Sequence, residues 1–282
     1  MKKKFRAYLY LILSIAAAVI AWHLEKPTEE KKGDILNSPV FATLDTNAVT
    51  RIEIEYLSNH ISLQKENGEW KINGHKADAG KVGLALDNLI DLSKVSLAGT
   101  NPEKHSLFEV DATGLQLKLF DAQAEELVFV YLGKTGPAFT ESFLRKEGEN
   151  EVYLVSRALR SAFPADVNTW RDRTIWDIAA ANITEIKIEH AKKLLFLKKD
   201  EGKWNEAATP LSKIIAAGFV DDPNIDTGLG NPTMTITLQT NASPYILKLG
   251  KQNADKMFFA QKEGEKQIYL LRESFVTTVD KF

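Results

Sequence analysis

A chain of 282 residues with 44% hydrophobic and 26% charged side chains has the make-up of an ordinary globular protein, which excludes wholesale disorder and a multi-span membrane protein. Its formal net charge of −2 hides an asymmetry: Lys2, Lys3, Lys4 and Arg6 precede an apolar run and leave −6 for everything after it, so phosphate backbones are poor ligands and no nucleic-acid partner is expected. Cysteine is absent, which removes disulfides, thiolate metal sites, cysteine nucleophiles and a lipidated cysteine.

Ala7 to Leu24 is almost wholly apolar, interrupted by Ser14 and His23. At 1.5 Å per residue such a stretch just crosses a hydrocarbon core of about 30 Å. The basic cluster before it and Glu25, Glu29 and Glu30 after it orient the N-terminus to the cytoplasm and the body outside. Tyr8, Tyr10 and Trp22 suit the two interfaces. Residues 1–25 are therefore expected to be an anchor in the inner (cytoplasmic) membrane, or an uncleaved signal. A cleaved signal peptide with Ala16, Ala17 and Ala18 as its exit is the competing reading, although Val19 to Trp22 carry the apolar run past that point. Residues 26–38 are polar and contain Pro27 and Gly33, as a tether would.

The body repeats itself. Val49 to Trp70 returns as Ile183 to Trp204 at a constant shift of 134 residues, with Ile52, Ile54, Leu63, Gly68 and Trp70 falling on Ile186, Ile188, Leu197, Gly202 and Trp204. Leu132-Gly133-Lys134 recurs as Leu249-Gly250-Lys251, and Lys146 to Glu149 as Lys262 to Glu265. Period-two alternation in Arg51 to Glu55 and Glu185 to Glu189 predicts half-buried strands, each followed by a second strand and a glycine turn. A β-meander with Trp70 or Trp204 on its inner face is expected in both copies. Val82, Leu84, Ala85, Leu86, Leu89, Ile90 and Leu92 fall mostly at helical spacing after Asp78, a candidate N-cap, whereas the second copy's helix is predicted to be shorter, over 211–217. Further alternating strands and a short closing helix complete each copy. The fold class is α+β: a transmembrane helix, then two tandem repeats, 39–168 and 169–282, each a mostly antiparallel sheet with one main helix.

Trp70 and Trp204 read as structural core anchors rather than glycan platforms, because a shared core predicts a large ring at the same place in both copies. Between the copies lies Trp170-Arg171-Asp172-Arg173-Thr174-Ile175-Trp176-Asp177. Trp170, Arg171 and Arg173 are the candidate interaction residues, with Arg171 and Arg173 placed to grip an anionic partner; the favoured reading is structural, the arginines pairing Asp166, Asp172 or Asp177 and fixing one domain on the other. Asp221 to Asp226 has Thr227 where a calcium loop needs glycine, so a solvated turn is expected there. The five histidines are dispersed, and no nucleophile elbow, phosphate loop or zinc-protease motif is present. No catalytic residue, metal or cofactor is expected.

The anchor, the Ile52 to Trp70 strand pattern, the Ala77-Asp78 helix start and the Trp170-Arg171-Asp172-Arg173 junction resemble a bacterial domain-of-unknown-function family that accompanies gliding-motility-type ABC transporters. The resemblance implies location and company, and no catalytic residues. The expected function is that of a non-enzymatic, membrane-anchored extracytoplasmic accessory protein docking on a membrane partner such as an ABC transporter subunit. An envelope glycan-binding module is the alternative, and a hydrolase with an unannounced site the third.

Overall fold

The computed structural model describes residues 44–90, 92, 95–191, 193–199 and 202–282. The predicted anchor and tether, residues 1–25 and 26–38, lie outside the described residues. Among the described residues, no helix is long and apolar enough to cross a membrane. The chain divides into two compact units, the first running up to Asp166 without residues 74–79, the second made of residues 74–79 and 167–282.

In the first unit, β1 (Arg51–Tyr56) lies between β2 (Asn59–Glu66) and β6 (Leu115–Phe120). The predicted alternation has a direct physical outcome. Ile52 and Ile54 are fully buried, opposite Leu63 and Ile61 on β2 and Leu119 and Leu117 on β6. Full burial of each such side chain stabilises the fold by about 1.5–3 kcal/mol. The sheet continues through β3 (Glu69–Ile72) on one side and through β7 (Glu126–Thr135), β8 (Ser142–Lys146), β9 (Val152–Val155) and β5 (Val95–Gly99) on the other, in the order β3-β2-β1-β6-β7-β8-β9-β5, all antiparallel. The two-residue strand β4 (His75–Lys76) falls in residues 74–79, which group with the second unit. Helix α1 (Ala79–Ile90) turns Val82, Ala85, Leu86 and Leu89 to the core, the i, i+3, i+4, i+7 stripe of an amphipathic helix. Two single turns follow, α2 (His105–Phe108) and α3 (Leu159–Ala162).

The second unit opens with α4 (Val167–Trp170) and a two-stranded sheet of β10 (Thr174–Asp177) with β13 (Lys213–Ile215). Its main sheet comprises β11 (Ile183–His190), β12 (Lys193–Lys198), β14 (Gly218–Val220), β15 (Met234–Thr240), β16 (Tyr245–Gln252), β17 (Met257–Lys262) and β18 (Ile268–Arg272). Their order, β12-β11-β15-β16-β17-β18-β14, reproduces that of the first unit from β2 to β5. Ile186 and Ile188 again sit opposite apolar neighbours, Leu197 and Leu195 on β12 and Leu238 and Ile236 on β15. A closing helix, α6 (Glu273–Val279), packs Val276 and Val279 inward.

Two predictions for the second copy require correction. Trp204 follows its glycine turn but opens a helix, α5 (Trp204–Ser212), where Trp70 sits on a strand. The second copy therefore has no counterpart of β3 among the described residues, and its helix spans 204–212 rather than 211–217. The stripe Trp204, Ala207, Ala208 and Leu211 is buried at helical spacing, and Glu206 complements the helix N-terminus. Pro210 lacks the amide a continuing helix needs, and the β-branched Ile214 and Ile215 take the chain into β13.

The repeated Leu-Gly-Lys tripeptide has a steric cause. A Cβ on Gly133 would lie 2.4 Å from the Phe108 carbonyl oxygen, and one on Gly250 would lie 2.0 Å from that of Thr227. The end of α2 in the first unit, and the segment between β14 and β15 in the second, pass over the glycine-bearing strand (β7 or β16) at that point, and only glycine admits the approach. The repeated Lys-Glu-Gly-Glu is the β8–β9 or β17–β18 turn: Gly148 and Gly264 have positive φ (77° and 83°), and Lys146–Glu149 and Lys262–Glu265 pair across it at 3.5 and 2.7 Å.

Candidate functional site

The segment singled out by sequence becomes the organising element of the second unit. It zips onto residues 74–79: Asp78 N–H donates to the Trp170 carbonyl at 2.8 Å and Asp172 N–H to that of Lys76 at 2.9 Å. Trp170 and Arg171 are each 1% exposed. Burying a guanidinium costs free energy unless its donors are paired; four residues pair the two Nη groups, and Nε is left without a hydrogen-bond partner among the described residues. Nη1 donates to Asp221 Oδ2 at 2.6 Å and to Asn168 Oδ1 at 3.2 Å; Nη2 donates to Gln267 Oε1 at 2.6 Å and to His75 Nδ1 at 3.1 Å. A guanidinium only donates, so in this contact Nδ1 of His75 is the acceptor. Phe219 lies beneath, 3.8 Å from ring centroid to Cζ.

The β14–β18 ladder explains why these partners meet. Val220 is in register with Ile268, so Asp221 and Gln267 emerge side by side at the strand ends. Asp221 stays exposed, as the solvated-turn reading of 221–226 expects, while its carboxylate is tied to Arg171. The Arg171 hydrogen bond holds its carboxyl below the ordinary carboxylate range, with burial opposing the shift. Two of the carboxylates weighed as arginine partners pair with lysines instead: Asp172 with Lys76 at 3.2 Å and Asp177 with Lys213 at 2.6 Å. Arg173 is half-buried, its Nε without a hydrogen-bond partner and its carbonyl accepting from Ala216 N–H.

The outer part of the same segment lines a cleft of about 490 Å³, with Asp172, Trp176, Tyr245, Glu265 and Tyr269 among its walls. Trp176 meets Tyr245 edge-on with centroids 5.9 Å apart, and its Nε1–H donates to the Leu211 carbonyl at 2.7 Å. Burial, followed by the Glu265 carboxylate to which its hydroxyl donates at 3.0 Å, pushes Tyr269 well above the ordinary tyrosine range. Burial works to raise Asp172 as well, but the Thr174 N–H and hydroxyl and the Lys76 ammonium outweigh it and hold the carboxyl low. Both shifts run away from neutrality, whereas general acid–base chemistry calls for groups that titrate near the working pH. Among the described residues, no group of three or more His, Cys, Asp or Glu converges as a metal site would require.

The core tryptophans lie apart from this cleft. Trp70 is 8% exposed and Trp204 5%, which leaves neither ring a free face for stacking on a sugar. Sequence reasoning missed His75, Asn168, Gln267 and Tyr269. Only the short-range Asn168 contact has a local signal, because His75 and Gln267 each stand 96 residues from Arg171.

A duplicated, sheet-rich α+β body with a buried arginine node and a polar, aromatic-walled cleft in its second unit defines the class of protein. Residues 70–224, more than half of the chain, match the domain of unknown function DUF4340, and the chain belongs to that family. The matched stretch begins at β3 and ends beyond β14, so it includes Arg171 and Asp221. No curated protein and no solved structure matches the chain.

Proposed function

We propose that this protein is a membrane-anchored extracytoplasmic accessory protein, non-enzymatic, whose duplicated body docks on a membrane partner, an ABC-type export subunit of the gliding-motility kind being the leading candidate. The basic cluster and apolar run at residues 2–24 support the address. The observation that carries the docking role is a difference between the copies. On the outward face of β12, Leu194 is 62% exposed and Phe196 48%, where the first copy has His60 and Ser62. Exposed apolar side chains clustered on one strand mark interaction surfaces. The low Asp172 and high Tyr269 titrations agree with a cleft that holds shape rather than moves protons.

Protease added to intact spheroplasts tests the address and membrane solubilisation tests the company. The expected result is digestion of the body without lysis, and co-purification with a membrane transporter subunit in mild detergent. Full protection until lysis, or isolation of the protein alone, overturns the reading.

A further inference from the structure

The second copy lacks the strand that closes the corresponding edge in the first. There β3 pairs with β2 through Leu63 to Glu66, and the part of β2 that it leaves uncovered, Asn59 to Ser62, is polar on its outward face. In the second copy β12 is the last strand of its sheet, and no strand lies on its outer side among the described residues. Lys199 N–H donates to the Thr184 carbonyl at 2.9 Å, as Lys65 N–H does to that of Thr50 at 2.8 Å. Antiparallel ladders alternate, so the backbone groups of Leu195 and Leu197 face β11, and those of Leu194, Phe196 and Lys198 face outward. An open row of donors and acceptors with apolar side chains beside it is a template for another strand.

We propose, resting on the docking role above, that the β12 edge receives an extended segment of a protein partner by strand addition, and that this segment is apolar at its centre and acidic at both ends. The charge pattern selects the occupant. Exposed Lys193 and Lys198 bracket Leu194 to Leu197, about 17 Å of strand. A second copy of this edge would bring lysines against lysines, the device that keeps sheet edges from pairing with themselves, whereas carboxylates at the same places are attracted. Strand addition also needs recesses for alternate side chains. One is present: a groove of about 470 Å³ at the hairpin end of the edge, with Ile188, Leu195, Val279 and Phe282 among its walls.

The test uses the full chain in detergent and a fluorescein-labelled peptide, Glu-Glu-Val-Thr-Leu-Thr-Glu-Glu, read by anisotropy. Saturable binding is expected, at least tenfold weaker for the same peptide with lysine in place of glutamate and for the variant carrying Leu194→His and Phe196→Ser, the residues of the first copy. Amide exchange should slow at Leu194, Phe196 and Lys198 on binding. Phe196→Pro deletes an outward N–H that the β11 ladder does not use, so binding should be lost with melting retained. Absence of binding, equal binding by the double variant, or protection elsewhere overturns the proposal; if the proline variant does not fold, the double variant and the exchange data decide. The assay needs no membrane. Its failure removes strand recognition and leaves the accessory role to the protease experiment, while a protected body in that experiment leaves the edge intact.

Discussion

The two copies keep one strand order and part company at their third strand. In the first, the chain after the glycine turn makes β3 and then a long helix; in the second it enters the helix at once, so a strand's worth of edge stays open. The same tryptophan marks both places, Trp70 on a strand and Trp204 at a helix start, and both rings are buried. The duplication thus conserved the apolar positions of the core while changing the backbone that carries one of them. A core specifies volume and apolarity more strictly than it specifies local conformation.

The largest expected effects fall on that shared position. Trp204→Ala should cost about 3–5 kcal/mol and melt the second unit first; Trp70→Ala should cost as much in the first. Calorimetry with two resolved transitions would check this, and a variant that lowers the wrong transition would break the equivalence. Next come the glycines. Gly250→Ala and Gly133→Ala each drive a methyl into a backbone carbonyl and should cost about 3 kcal/mol, measured by denaturant unfolding. If either is neutral, the crossing segment is not the reason for the repeated tripeptide.

How much of this was legible in the sequence depends on the range of the interaction. The β1 and β11 strands follow from alternation within a few residues, and α1 from a stripe within two turns. The edge strands β5 and β14 do not, because Val95–Gly99 and Gly218–Val220 are short and gain their partners only from β9 and β18, far along the chain. The second helix was misread because Gly-x-Trp has the same sequence in both copies, and what differs is the stretch that follows, where Ala207, Ala208 and Leu211 continue the helical stripe. At the candidate site, the crowded 170–177 segment stood out by composition. Its arginine's partners could not, since strand register brings Asp221 and Gln267 together.

Acid should separate the copies more gently. Asp221 and Asp172, both in the second unit, have carboxyls held low in the folded state, whereas the first unit has Asp111. A depressed folded value means the contribution is complete above the unfolded pKa of about 4 and is lost as pH falls through the folded value. The second unit should therefore weaken more steeply below about pH 4. Asp221→Asn should flatten that slope and cost about 1 kcal/mol at neutral pH, after allowing for solvent screening of a half-exposed carboxylate. Melts across the acid range would check the sign, and an unchanged slope would refute the assignment. The smallest effect is at the surface: Lys213→Ala breaks the exposed pair with Asp177 and should leave the melting temperature unchanged within error. A clear drop would show that β13 relies on that pair.

The difference between the copies is most directly tested by placing a photoreactive side chain at position 196 in one variant and at the equivalent position 62 in another, then irradiating intact cells. The account predicts a cross-link from position 196 to an acid-flanked extended segment of a membrane-associated protein, and none from position 62. Equal cross-linking from both positions, or cross-linking from position 62 alone, would contradict it.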